Sequence, residues 1–124
     1  GIMGTESDKR IFAASWRTGM AVQNAAGEDL GEIKDMVIDV ESGRMAYAVL
    51  SFGGFLGVGD KYFAIPWGAL SLSQYDQILI LNVPREKLEN APGFDKENWP
   101  DMAERSWETV IHSYYGYRPY WEKT

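Results

Sequence analysis

The 124-residue chain contains no cysteine. That absence excludes disulfides, thiolate nucleophiles and sulfur-ligated metals together, and it agrees with a reducing, cytoplasmic setting. Basic residues are in the minority: 12 Lys and Arg stand against 18 Asp and Glu, a formal net charge of −6. Nucleic acids and anionic membrane surfaces are held by excess Lys and Arg, so neither is an expected partner. Long apolar runs are missing too. The longest stretches, Met45 to Leu50 and Ile78 to Leu81, have strand length, far short of the roughly 20 residues a membrane helix needs. There is no internal repeat and no low-complexity tract. What is present is 45% hydrophobic and 24% charged, the profile of one globular domain with a real core.

Residues 1–14 show no periodicity and read as a flexible lead-in; the opening Gly-Ile-Met carries no functional reading. The following stretch is dense in strand signals. Strands are expected over Gly19–Asn24, Gly31–Val40, Arg44–Phe52, Lys61–Ile65 and Ile78–Val83, separated by turn residues such as NAAGE and Glu41-Ser42-Gly43. Short strands on short turns point to an antiparallel meander or small barrel. No segment of helical period is long enough for a βαβ crossover, which disfavours a doubly wound parallel sheet. The strands are apolar on both faces: Met45, Tyr47 and Val49 on one side of Arg44–Phe52, Ala46, Ala48, Leu50 and Phe52 on the other. A barrel with a wet outside alternates apolar with polar. Something must therefore cover this one, either the C-terminal segment or a second molecule.

After Val83 the pattern changes. Arg85–Asn90 reads as a short helical turn. In residues 98–111, Trp99, Met102, Ala103, Trp107, Val110 and Ile111 recur at helical spacing, with Asn98 as cap and Pro100 in the first turn. This predicts an amphipathic, docked helix. The tail HSYYGYRPYWEKT holds five aromatics in thirteen residues.

Four features of the sequence are candidates for chemistry. The stretch GGFLGVGDK has the glycines of a phosphate loop. However, no Gly-Lys-Ser/Thr follows, the Gly-x-Gly-x-x-Gly spacing is reversed, and a strand rather than a helix comes next. It reads as a strand connection whose glycines take positive φ, with Phe55 and Leu56 as an apolar contact point at its tip. His112, the sole histidine, reads as a helix C-terminal residue favoured by the dipole; the alternative is an acid/base role with a carboxylate. Asp35, Asp39, Glu41 and Asp60 have carboxylates for a cation or an acid pair, yet no Ca²⁺-loop spacing, and Asp39 before Glu41-Ser42-Gly43 reads as a turn former. The aromatic tail offers stacking faces, but Arg118 and Lys123 are its only cations, so packing against the barrel or a partner is the favoured reading.

The order of these features resembles the PRC-barrel family. The residues that carry the likeness are Gly19, Val22 and Asn24; Gly27-Glu28; Leu30-Gly31, Ile33 and Asp35; Ser42-Gly43; Tyr47-Ala48-Val49-Leu50-Ser51; Gly59-Asp60-Lys61; and Ile65-Pro66-Trp67. The likeness covers about residues 16–90, and the later NAPGFD and NWP stretches are similar to stand-alone bacterial members. It implies a mainly β fold, a small, strongly bent antiparallel barrel over 15–90, with residues 91–124 as a helix and aromatic tail packed on the barrel or a partner subunit. Known settings of the family are the cytoplasmic part of the photosynthetic reaction-centre H subunit and the C-terminal domain of a ribosome maturation factor. In both it is a protein-binding or structural module. This sequence holds neither the membrane helix of the first nor the extra N-terminal domain of the second, so neither role carries over, and the family supplies no shared catalytic set.

The reading that results is a non-enzymatic contact module without metal or cofactor, partnered by itself as a homodimer or by another protein. Its expected contact set is Phe55, Leu56, Trp99, Trp107, Tyr114, Tyr115, Tyr117, Tyr120 and Trp121. The alternatives are a small-ligand barrel with its site under the glycine loop, and an acid/base enzyme using His112.

Overall fold

The computed structural model describes residues 13–16, 18–53, 61–73 and 78–122. The glycine loop with Phe55 and Leu56, and Asp60, lie outside the described residues. Six strands form one sheet: β1 (Ala21–Gln23), β2 (Asp29–Asp39), β3 (Arg44–Phe52), β4 (Lys61–Pro66), β5 (Leu70–Leu72) and β6 (Leu79–Leu81). Helices α1 (Arg85–Glu89) and α2 (Arg105–Tyr115) follow. All five expected strands start within two residues of their predicted positions. β3 matches over its whole length, and β5 (Leu-Ser-Leu) is an addition.

The strand order is β4-β3-β2-β1-β6-β5. Every pairing is antiparallel except β1 with β6, where Val22 faces Leu79 and Gln23 faces Ile80 in parallel. That one parallel pair needs no crossover helix, because the intervening strands β2 to β5 are the connection. The order also dictates the curvature. β4 and β5 occupy opposite edges, five inter-strand gaps apart, which is about 24 Å in a flat sheet. Only the 3-10 turn Trp67–Ala69 joins them, and so short a chain reaches at most about 14 Å. The sheet must therefore roll until its edges approach, which is the half-barrel seen here.

β2 is the strand that bends. Its pairing with β3 shifts between Ile33 and Asp35 and again between Val37 and Ile38, and such irregularities kink a strand and deepen its twist. Gly31 permits the approach at the start of the bend. Its φ is +106°, and a Cβ there would lie 2.0 Å from the carbonyl oxygen of Ser51. At the far end, Asp39 makes the turn as its position predicts: its Oδ1 accepts from the amides of Glu41 (2.9 Å) and Ser42 (3.3 Å), and the Gly43 amide donates to its carbonyl. Asn24 closes the β1–β2 turn. Its Oδ1 accepts from the amides of Ala26 and Glu28, while its Nδ2 donates to Glu28 and to the carbonyl of Val83. The asparagine thus ties β1 to the chain leaving β6.

Residues Ala46–Phe52 of β3 are buried without alternation, as its two apolar faces predict. Leu30, Ile33, Leu50, Phe63, Ile65, Leu79, Leu81 and Leu88 fill the interior. The cover comes from the chain itself. At residue 94 it adds a bridge to β4, the amides and carbonyls of Tyr62 and Phe94 bonding reciprocally at 2.9 Å, and α2 then packs against the sheet with Ile111 and Tyr115 buried.

Two features of the expected helix are corrected. It begins at Arg105 rather than Asn98, and it runs through Tyr115, so His112 lies inside its last turn. Upstream, Asp101 competes for the backbone: its Oδ1 accepts from the Ala103 amide and its carbonyl from the Glu104 amide. Such side-chain bonding favours a turn over a helix. Trp99 turns instead toward Phe94, at 5.3 Å between ring centroids. The end is set by Gly116 at φ +76°, where the amides of Tyr117 and Gly116 donate to the carbonyls of His112 and Ser113, a Schellman closure. The buried face is consequently Glu108, Ile111, His112 and Tyr115, and Val110, expected on the apolar stripe, is 55% exposed.

Gly31→Ala is expected to destabilise the fold by at least about 2 kcal/mol, since the left-handed φ and the backbone clash act together. Gly68→Ala, with no atom within 4 Å of the added Cβ, should change little. Chemical denaturation of both variants checks this; equal stabilities would refute the Gly31 constraint.

Candidate functional site

At the turn end of the β2–β3 hairpin, α2 and the tail enclose a polar cluster in an aromatic surround. Period-2 alternation on β3 points Tyr47 toward α2, and helical spacing on α2 brings Glu108 and His112 to the same place. The Tyr47 hydroxyl, fully buried, donates to Glu108 Oε2 at 3.0 Å. Arg105 Nη1 donates to Glu108 Oε1 at 3.0 Å. Tyr120, arriving from the tail, places its hydroxyl 2.9 Å from Asp39 Oδ2 and 3.2 Å from Glu108 Oε2. One phenolic hydrogen thus serves carboxylates on two different elements. Arg44 donates to the Tyr120 carbonyl. His112 Nδ1 lies 2.8 Å from the Glu108 carbonyl; that oxygen only accepts, so Nδ1 carries the hydrogen. Its longer approach to the Tyr47 hydroxyl is 3.4 Å.

The rings lock around these groups. Trp107 meets Tyr47 edge-on at 5.3 Å, Tyr120 meets Trp121 edge-on at 5.1 Å, and Trp121 meets His112 at 5.5 Å. The Arg105 guanidinium lies 3.7 Å above the Trp121 ring, cation–π contact in addition to its ion pair. Burial, and then the neighbouring Glu108 charge, push the Tyr47 phenol far above its ordinary value. Burial, and then its bond to Asp39, push Tyr120 up to about 12. Asp39 moves the other way: the Tyr120 bond holds its carboxyl below the usual range.

The expected contact residues divide between interior and surface. Tyr115 is buried, and its hydroxyl has no hydrogen-bond partner among the described residues. Tyr114 donates to the Lys87 carbonyl, and the Lys87 ammonium sits 5.1 Å from its ring. Trp107, Tyr120 and Trp121 are half-buried in the cluster just described. Trp99 and Tyr117 remain 43% and 44% exposed. Among the described residues there is no group of three or more acidic, His or Cys side chains able to hold a metal. No described helix is long and apolar enough to cross a membrane.

Arg44, Arg105 and Glu108 were not singled out from sequence. The available signal was Glu108 with His112 at i and i+4 on the same face as Ile111 and Tyr115, two polar residues on a stripe that turns out to be buried. Among the described residues, three openings flank this region of the sheet, one of them a cleft of about 340 Å³ bordered by Asp39, Glu41, Arg44, Arg105 and Trp121. A second, about 450 Å³, lies against the cluster between β2 and α2. The third, about 340 Å³, lies where the glycine loop leaves β3, with Asp29, Gly31, Glu32, Ser51 and Gly53 in its lining.

The family model described as PRC-barrel domain matches residues 10–88. No curated protein matches the chain.

The phenols give a sign for alkaline behaviour. A folded-state pKa above the unfolded value of about 10 contributes stability that is complete below pH 10 and is lost as pH rises through the folded value. Tyr47, Tyr115 and Tyr120, all raised first by burial, should therefore ionise late and together with loss of the folded circular-dichroism signal. Complete tyrosinate formation near pH 10 in a protein that keeps its folded circular-dichroism signal would contradict this. Tyr115→Phe, which removes an unpaired buried hydroxyl, should leave stability unchanged or raise it by up to about 1 kcal/mol in denaturant melts.

Proposed function

The chain belongs to the PRC-barrel family, and from that premise we propose that it is a non-enzymatic protein-contact module that pairs with a second copy of itself. The observation that carries this reading is the double character of the C-terminal segment. Ile111 and Tyr115 close the barrel's outer face, while Trp99, Val110 and Tyr117 of the same segment stay 43%, 55% and 44% exposed. Large aromatics at a surface are the residues that dominate contact energies. Trp99 is also held in place rather than loose, packed edge-on at 6.2 Å against Tyr62 and tilted against Phe94. A preordered anchor loses little freedom on association. Phe55 and Leu56 of the glycine loop belong to the same proposed contact set.

The non-enzymatic part rests on His112. It is 2% exposed, its Nδ1 hydrogen is taken by the Glu108 carbonyl, and Tyr47, Tyr120 and Trp121 surround its ring. A general acid or base must reach the proton it moves, and this imidazole is packed as a core side chain. The small-ligand reading under the glycine loop rests on the 340 Å³ opening there, whose lining offers Asp29 and Glu32 but little apolar wall.

Light scattering behind a sizing column, at several concentrations, tests the pairing. The expected mass is twice the 14.0 kDa of the chain, falling to the single-chain mass in a Trp99→Ser, Val110→Ser, Tyr117→Ser triple variant with unchanged circular dichroism. A wild-type protein of single-chain mass at every concentration would overturn self-association.

A further inference from the structure

The cavity beside the polar cluster has features that a contact module does not require. At about 450 Å³ it falls in the size range of small-molecule sites, which are typically apolar with a few convergent polar groups. Val37, Ala46 and Met102 contribute apolar wall. Ile38 and Val40 add apolar surface at its opening, Val40 being 90% exposed. An apolar pair so exposed at a hairpin end marks a place where something apolar can dock.

The charge at the same place is unbalanced. Asp39, Glu41 and Glu108 line the cavity with Arg105, and Arg44, which borders the adjoining cleft beside Asp39 and Glu41, gives its hydrogen bond to the Tyr120 carbonyl, so three carboxylates face two cations. Arg105 is bonded to Glu108 and stacked on Trp121, and it reaches Asp39 only through space, as a minor contribution to holding that carboxyl low. Among the described residues neither Asp39 nor Glu41 has an ion-pair partner; the two pairs present are Arg85–Glu89 and Arg105–Glu108. The single Tyr120 hydrogen is divided between Asp39 Oδ2 and Glu108 Oε2; Glu108 Oε2 also accepts from Tyr47, so the acceptor capacity to spare lies on Asp39 Oδ2. Tyr120, half-buried, brings an aromatic ring to the same lining, and ring faces favour cations.

We propose that this cavity binds an amphipathic cation, a primary ammonium at the end of a hydrocarbon chain. The ammonium lies by Asp39 and Glu41, within reach of the oxygens that share the Tyr120 hydrogen, and the chain runs along Val37, Ala46 and Met102. The same chemistry is offered by a free alkylamine and by a lysine side chain flanked by apolar residues on another protein.

Isothermal titration of the full chain at neutral pH tests it, with n-hexylamine, hexanoate, n-hexanol and the peptide acetyl-Leu-Lys-Leu-amide as probes. Saturable binding of hexylamine or of the peptide, with hexanoate and hexanol much weaker, is expected. Tighter binding of the peptide assigns the site to a protein's lysine, and tighter binding of the amine to a free metabolite; both carry the proposal. Ala103 is exposed and lines the cavity, so Ala103→Trp should fill it and abolish binding while circular dichroism is unchanged. Asp39→Asn with Glu41→Gln should weaken amine binding by roughly tenfold or more and serves as the deciding variant if the tryptophan perturbs the fold. The proposal is overturned if hexanoate or hexanol binds as tightly as hexylamine, if neither amine nor peptide saturates, or if the variants bind like the wild type.

Discussion

The Glu108 carboxylate is 2% exposed, and the arrangement of the C-terminal half depends on how that buried charge is satisfied. Removing a carboxylate from water costs several kcal/mol even after relaxation. Three groups offset the cost here, and each comes from a different place: Tyr47 from β3, Arg105 from one turn earlier on α2, and Tyr120 from the tail. None can move without leaving a buried charge short of a donor, a loss of about 3–5 kcal/mol when a buried ion loses its partner. Apolar packing alone lets a helix slide or rotate over a sheet at modest cost. A buried carboxylate with three fixed donors does not, and it sets both the rotation of α2 and the docking of the tail.

The same network decides what the tail can expose. Tyr120 is tethered at both ends of its reach, by hydroxyl to Asp39 and Glu108 and by carbonyl to Arg44. Trp121 is pressed between the Arg105 guanidinium and the His112 ring. With those rings held inside, the chain needs no second molecule to cover the outer face of β3. Trp99, Val110 and Tyr117 are among the large residues that the network leaves exposed. The pairing proposed above would then be a property of the surface of a completed fold, rather than a condition for folding.

Much of the barrel was legible because its signals are local. β3 announces itself as an unbroken apolar run, and Asp39 acts through bonds to amides two and three residues on. β5 was hidden because three residues, Leu70–Leu72, carry no period, and its pairing with β6 is set by the roll of the sheet. The parallel β1–β6 pair is likewise a product of closure. The helix was misplaced for a different reason: Trp99, Met102 and Ala103 keep helical spacing with Trp107, so periodicity ran on through a segment that Asp101 holds as a turn. The polar cluster was illegible because Tyr47 reads as a strand apolar residue and Glu108 as a solvated helix residue. Only the closure that brings strand 44–52, helix 105–115 and residue 120 together makes one site of them.

That closure also divides the site between two parts of the chain. The family match ends at residue 88, and within it lie Asp39, Glu41, Arg44 and Tyr47. Arg105, Glu108, His112, Tyr120 and Trp121 all lie beyond it. The hairpin end therefore supplies acceptors and a phenol that a PRC-barrel can present by itself, while the segment after residue 88 supplies the buried carboxylate, the stacked guanidinium and the shared hydroxyl. Without that segment Tyr47 would lose the acceptor for its hydroxyl and the aromatic neighbours that bury it, and the 450 Å³ cavity would lose the wall that α2 and Tyr120 give it. The polar cluster thus belongs to the joint between the barrel and the segment that follows it.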